Sequence, residues 1–135
     1  MIGIVTFFNL DAAFSFLIFA EDYSPGFELP GVPGQAMIQG MGLLFVMWNI
    51  PYIVAILNPI KHFTSLIEAV VMQSIGVIGE TILLINLSGT HPILRSSTMR
   101  FIYFDAGGLT LLLLSFFIML REIRQSKLLP EKLVE

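Results

Sequence analysis

The chain has 135 residues, of which 56% are hydrophobic and only 13% are charged, and its formal net charge is −3. A soluble globular domain carries about 25% charged residues, so this composition excludes a soluble enzyme, and the acidic balance excludes a basic patch that would bind nucleic acid. The absence of cysteine excludes disulfides, thiol chemistry and cysteine-ligated zinc or iron–sulfur clusters.

Four long apolar stretches follow one another along the chain, at residues 1–20, 35–57, 65–87 and 101–120. Each is long enough to cross a hydrocarbon core of about 30 Å as a helix. The connections between them favour antiparallel neighbours, because short links join adjacent helices. The sequence therefore predicts an all-α membrane protein with one four-transmembrane-helix, up-down-up-down domain at 1–120 and a polar cytoplasmic tail at 121–135.

Local signals refine these boundaries. The segment 21–34 (EDYSPGFELPGVPG) is rich in proline and glycine, which predicts a non-helical loop. Pro51 predicts a kink in the second helix, and the surrounding WNIPY segment has the alternative of an aromatic wall facing a ligand. The SST run at 96–98 is expected to cap the fourth helix. The first stretch is interpreted as a retained helix, since Asp11 interrupts a signal-peptide pattern.

The distribution of Lys and Arg predicts the orientation. With four spans, both termini and the second connection share one side of the membrane, which holds five of these residues, while the other side holds two. The positive-inside rule then places both termini in the cytoplasm. The five are Lys61, Arg121, Arg124, Lys127 and Lys132, and the two are Arg95 and Arg100.

Polar residues within the spans carry most of the functional information, because an ionisable group at a helix centre costs roughly 2.5–3.5 kcal/mol. Three acids, one amide and an arginine fall at similar depths in the outer half of the predicted bundle, and two further amides lie deeper. These ligand- or proton-binding candidates are Asp11, Gln39, Asn49, Gln73, Glu80, Arg100 and Asp105.

Helical spacing places several candidates on stripes of small and polar residues, a pattern that favours helix–helix contact in lipid. Each stripe is therefore predicted to face the bundle interior. The four stripes are Ile4, Phe8, Asp11 and Ser15; Gln39, Gly42, Val46 and Asn49; Ala69, Gln73, Gly76 and Glu80; and Asp105, Gly108, Leu112 and Ser115.

Two interpretations of these groups remain open. In the preferred one they join the helices, with Arg100 paired to Glu80 or Asp105, in a structural or accessory subunit that packs against other membrane subunits or itself. In the alternative they line an outward-opening acidic cavity that binds a proton, a cation or a small ligand. Either way, Glu80 is expected to face the interior with Arg100 or a polar group of the first two helices within hydrogen-bond reach.

No catalytic residue, cofactor or metal site is predicted. His62 and His91 fall on opposite sides of the predicted membrane, so they cannot ligate one haem iron or one metal together. An intramembrane enzyme would need an acid/base pair such as Glu80 and Asp105. The lipid bilayer is the one partner that the composition itself implies.

Three segments carry a resemblance to a known group. GMGLLFVMWNIPYIVAILNP (40–59), EAVVMQSIGVIGE (68–80) and RFIYFDAGGLTLLLL (100–114) resemble small four-helix bacterial membrane proteins of the DoxX-like type. In that group an arginine near the start of the last helix is often followed by an acid and small residues. The resemblance implies four helices in a bacterial inner membrane and implies little chemistry.

Overall fold

The computed structural model describes residues 1–128, and every regular element in this range is helical, as the apolar stretches predict. The elements are α1 (Ile2–Ile18), α2 (Ala20–Tyr23), a 3₁₀ turn (Ser24–Phe27), α3 (Gly31–Trp48), α4 (Ile50–Leu57), α5 (Phe63–Asn86) and α6 (Pro92–Leu128).

Within the described residues, three helical segments are long and apolar enough to cross a membrane. They are Gly31–Leu57, Phe63–Asn86 and Pro92–Gln125, with α3 and α4 taken together as one segment. A fourth is reached only if α1 is counted with the segment after it, from which it is separated by a bend of 98°.

The segment 21–34 is not the non-helical loop that its composition predicts. α2 and the 3₁₀ turn occupy its first half, and α3 already begins at Gly31. Proline is tolerated in the first turn of a helix because its missing N–H would have no intrahelical partner there, and Pro25 and Pro33 both occupy such positions. The reversal between these elements uses positive φ angles at Glu28 (57°) and Gly31 (76°).

α6 begins at Pro92, well before the predicted start at residue 101, so the SST run lies inside the helix and does not cap it. The cap comes from a distant segment, because the backbone N–H of Leu94 donates to Glu28 Oε1 at 3.2 Å. α6 continues to Leu128, so the tail predicted at 121–135 starts as helix; residues 129–135 lie outside the described range.

The kink predicted near Pro51 is confirmed as a break between α3 and α4 at Asn49. Pro51 lies in the first turn of α4, where no backbone N–H is needed. The Asn49 side chain bonds back to the carbonyl of Phe45 at 2.7 Å, next to the break. Because of the break, α4 packs against α5 while α3 packs mainly against α1.

Two apolar clusters hold the helices together. The first, called the packed end here, consists of Ile2, Val5, Tyr52, Ala55, Leu66, Ala69 and Leu112. The second, called the aromatic cluster, consists of Phe16, Ala20 and Ile38 with the partly buried Phe27, Met41, Phe45 and Phe101. The two clusters involve opposite ends of α1.

Candidate functional site

A cleft of about 300 Å³, called the acidic cleft here, takes its lining from α1, α3, α4, α5 and α6. Its walls combine aromatic side chains with two acids, and no Lys, Arg or His is found among the described residues that line it. The polar lining residues are Asn9, Asn49, Tyr52, Gln73, Glu80 and Asp105.

The break between α3 and α4 turns Asn49 into this cleft. Asn49 is only 2% exposed, and its Nδ2 donates to the Phe45 carbonyl at 2.7 Å. A carbonyl only accepts hydrogen bonds, so the amide nitrogen must face it and Oδ1 must point away. This buried Oδ1 has no hydrogen-bond partner.

A chain of hydrogen bonds joins α4, α5 and α6. Gln73, 3% exposed, donates from Nε2 to Asp105 Oδ1 at 2.9 Å and to the Asp105 carbonyl at 3.3 Å. Because the amide nitrogen of Gln73 faces Asp105, its Oε1 is left to accept a hydrogen bond from the buried Tyr52 hydroxyl at 2.6 Å. The same hydroxyl lies 3.1 Å from the carbonyl of Ala69.

Two glycines allow α5 and α6 to approach closely enough for this chain. A Cβ on Gly76 would lie 2.5 Å from Asp105 Oδ2, and one on Gly108 would lie 2.9 Å from Gln73 Nε2. A larger residue at Gly76 would displace the Asp105 carboxylate, and one at Gly108 would displace the Gln73 amide. These positions therefore act as close packing surfaces, which small residues provide between helices.

Glu80 lines the same cleft, one turn beyond Gly76, so its predicted interior orientation is confirmed. Its predicted partner is wrong, because Oε2 is buried and has no hydrogen-bond partner. Arg100 pairs with neither Glu80 nor Asp105, and the one ion pair among the side chains described for residues 1–125 joins His91 to Glu28. A buried polar atom left unpaired costs about 1–3 kcal/mol, so Glu80 and Asn49 both reduce stability as they stand.

Asp11 and Arg100 belong to a second cleft of about 470 Å³. It lies between α1, the α2–3₁₀ segment and α6, and both side chains are exposed there. The expectation that the five outer residues of the predicted bundle gather in one interior is therefore wrong for Asp11 and Arg100, which do not line the cleft of Glu80 and Asp105. Ala12, Phe101 and Phe104 line both clefts and separate them.

The rotation of α1 explains this correction. Phe8, Asp11 and Ser15 of the predicted stripe line the second cleft, and Ile4 and Phe8 are each 52% exposed. α1 instead turns Asn9 and Ala12 toward the acidic cleft. Its buried residues are Ile2, Val5, Thr6, Ala13 and Phe16.

Gln39 is also misplaced by the sequence pattern. It is exposed and lines neither cleft, and its amide donates to the Leu17 carbonyl at 3.5 Å. Gly42 and Asn49 of the same predicted stripe are buried as expected. Gly42 lies against α1, where a Cβ would come within 2.7 Å of the Ala13 carbonyl oxygen.

Sequence reasoning missed Asn9 as a lining residue and named Tyr52 only within the aromatic-wall alternative for the WNIPY segment. Tyr52 follows Asn49 by three residues, which places both on one helix face, so the helical period contained the signal. Asn9 likewise lies at helical spacing from Ala12 and Phe16, which places it on the same side of α1. The aromatic-wall alternative for the WNIPY segment has geometric support, since Trp48 and Tyr52 both line the acidic cleft.

The 3₁₀ turn and the first turns of α6 are joined beside the second cleft, which Gly26 and Ser97 line. Ser97 Oγ donates to the Gly26 carbonyl at 2.6 Å, and the Glu28 carboxylate contacts His91 Nδ1 at 2.5 Å. The hydrogen bond from His91 and the N–H of Leu94 lower the pKa of Glu28 below its ordinary value of 4.5.

No family model, curated protein or solved structure matches the chain. The DoxX-like resemblance therefore stays a prediction, and functional inference rests on the geometry of the two clefts.

Proposed function

We propose that this protein is an integral membrane protein whose four apolar segments cross the bilayer as an up-down bundle. Three segments meet the length and hydropathy of a span, and α1, with 17 residues, is at the short end of the range that can cross. Large apolar side chains are exposed along all of these segments, which fits a surface in contact with lipid.

The contacts between helices support the up-down order. In two of the three consecutive pairs, contacts that come earlier in the first helix meet residues that come later in the second, as antiparallel neighbours do. The contacts are Gly3 with Ile56 and Ala13 with Gly42 between α1 and α3–α4, and Phe63 with Phe116 and Gln73 with Asp105 between α5 and α6.

The distribution of Lys and Arg supports cytoplasmic termini, and the DoxX-like resemblance suggests a bacterial inner membrane. Val32, at the start of α3, is 76% exposed, and in this topology it lies on the side of the membrane opposite to the cytoplasm. Val32→Cys in the cysteine-free chain should therefore react with a membrane-impermeant thiol reagent added to intact cells. Labelling that requires lysis would reverse the orientation.

We infer that the acidic cleft binds a small ligand that supplies hydrogen-bond donors, so that the protein works as a carrier or sensor. The observation behind this inference is the pair of buried acceptor oxygens without partners, Asn49 Oδ1 and Glu80 Oε2. In a purely structural bundle, buried polar atoms find partners in the great majority of cases. A ligand that donates to both oxygens would remove the cost they impose.

A single cysteine can test whether the cleft is open to ligands from water. Gly79 lines the acidic cleft, and a Cβ there would meet nothing within 4 Å. Gly40 on α3 is equally free of contacts but lines neither cleft, which makes it a matched control.

In lipid nanodiscs, Gly79→Cys should react with a water-soluble methanethiosulfonate about tenfold faster than Gly40→Cys, because a thiol ionises readily only where water reaches it. Equal, slow reaction at both positions would mean a closed interior. That result would contradict ligand binding and favour the accessory-subunit interpretation.

A further inference from the structure

We propose that the ligand of the acidic cleft is an amphipathic organic cation, a protonated amine that carries an apolar group. This inference rests on the proposed binding function of the cleft. It adds the chemical class of the ligand.

The charge of the ligand follows from the lining. Glu80 and Asp105 share the cleft, and no basic side chain among the described lining residues offsets them. Asp105 accepts a hydrogen bond from Gln73, whereas Oε2 of Glu80 has no donor at all. A buried carboxylate needs an opposite charge and hydrogen bonds to compensate its loss of water, and an ammonium group supplies both.

The second unpaired oxygen specifies a donor. Oδ1 of Asn49 is buried, and the hydrogen bond of its own amide nitrogen to Phe45 keeps this oxygen directed away from the backbone. An ammonium group carries several N–H donors, which two unpaired acceptor oxygens in one cleft require. Asn9 adds one amide that can donate or accept at the same cleft.

The apolar part of the ligand follows from the walls. Phe45, Trp48, Phe101 and Phe104 surround the polar groups, and aromatic faces attract a cation as well as an apolar body. A volume of about 300 Å³ matches a small organic molecule. A bare metal ion would use the oxygens and leave these walls without a role.

Trp48 provides the readout, because it is the only tryptophan of the chain and it lines the cleft. Three probes share one apolar cage and differ in charge: 1-aminoadamantane, 1-adamantanol and adamantane-1-carboxylate. Trp48 fluorescence of the full chain in phosphatidylcholine nanodiscs should show the amine binding at least about tenfold more tightly than the alcohol, a difference of about 1.4 kcal/mol. The carboxylate should bind more weakly than the alcohol.

Glu80→Gln should reduce the affinity for the amine to that for the alcohol and leave the alcohol unchanged. Glu68→Gln is the matched control, since Glu68 is an exposed acid of the same helix that lines neither cleft, and it should keep the preference for the amine. An amine that binds no better than the alcohol, or an equal loss in both variants, would overturn the proposal.

Protection of Gly79→Cys gives a second measurement that keeps both carboxylates in place. The amine should slow its modification, and the alcohol at the same concentration should not. If Gly79→Cys reacts but the three probes bind alike, only the cationic ligand is refuted. If Gly79→Cys does not react, the proposed binding function falls with it.

Discussion

The packed end and the acidic cleft treat polar groups in opposite ways. At the packed end, buried hydroxyls bond to their own helices: Thr6 donates to the Ile2 carbonyl at 3.0 Å and Ser115 to the Leu111 carbonyl at 2.9 Å. At the cleft, Asn49 and Glu80 each keep a buried oxygen without a partner. The comparison distinguishes polar residues whose hydrogen bonds are made within the fold from those that keep an oxygen available to a ligand.

The largest effect is expected at the packed end. Leu112 is fully buried, so Leu112→Ala should lower the free energy of unfolding by about 2–5 kcal/mol through lost burial and a residual cavity. Leu114 on the same helix is 50% exposed and provides the control, with little change expected for Leu114→Ala. Thermal melts in one detergent compare the two variants. Equal shifts would mean that this end is not the stabilising core.

Gln73→Leu and Glu80→Leu test the comparison within the cleft. Gln73→Leu leaves Asp105 without its donor and should destabilise the protein by about 1–3 kcal/mol. Glu80→Leu breaks no hydrogen bond of Oε2 and removes an unpaired buried atom, so the melting temperature should stay the same or rise. A loss of stability in Glu80→Leu as large as in Gln73→Leu would assign Glu80 to the structure.

Two glycines of α3 test which side of this helix is closed. Gly42→Ala should destabilise by about 1–3 kcal/mol, since its Cβ would meet the Ala13 carbonyl oxygen and Leu17. Gly40→Ala has no such neighbour and should stabilise the helix by up to about 1 kcal/mol. Melting curves of both variants measure these changes in stability, and similar shifts in melting temperature would argue against a tight α1–α3 contact.

The smallest effect is expected at Glu28, which lies at the surface. Its pKa is below the ordinary value of 4.5, so its contribution to stability is complete above that pH and is lost as the pH falls through the lowered pKa. Between about pH 5 and pH 3, the melting temperature of the wild type should therefore fall more than that of Glu28→Gln. Parallel curves would mean that Glu28 does not hold the start of α6.

The sequence predicted much of the cleft correctly because α5 and α6 each bury one continuous face. Ala69 and Gln73 of one predicted stripe, and Leu112 and Ser115 of the other, are buried as expected. The glycines within these stripes mark where the two helices approach most closely. In such a pair, helical period alone specifies which residues meet.

The buried faces of α1 and α3 were harder to predict, because each of these helices contacts several neighbours. An apolar stretch of nearly uniform hydropathy contains several stripes, and only packing selects one, which is why Asp11 and Gln39 were placed inside although both are exposed. Arg100 was assigned to the wrong acids for the same reason. The sequence predicted the position of Arg100 along α6. That its side chain faces the second cleft depends on where α1 and the 3₁₀ turn lie.

The sequence by itself determined the helical class, the order of the apolar segments and the break near Pro51, because composition, period and proline act locally. Tertiary structure alone decided that 21–34 folds into helical turns, that Glu28 caps α6, and that the polar residues divide between two clefts. These features depend on contacts between residues distant in sequence, such as Glu28 with Leu94 and Gln73 with Asp105. No local pattern encodes the rotation of one helix against another, and that rotation decides which buried oxygens remain without a partner.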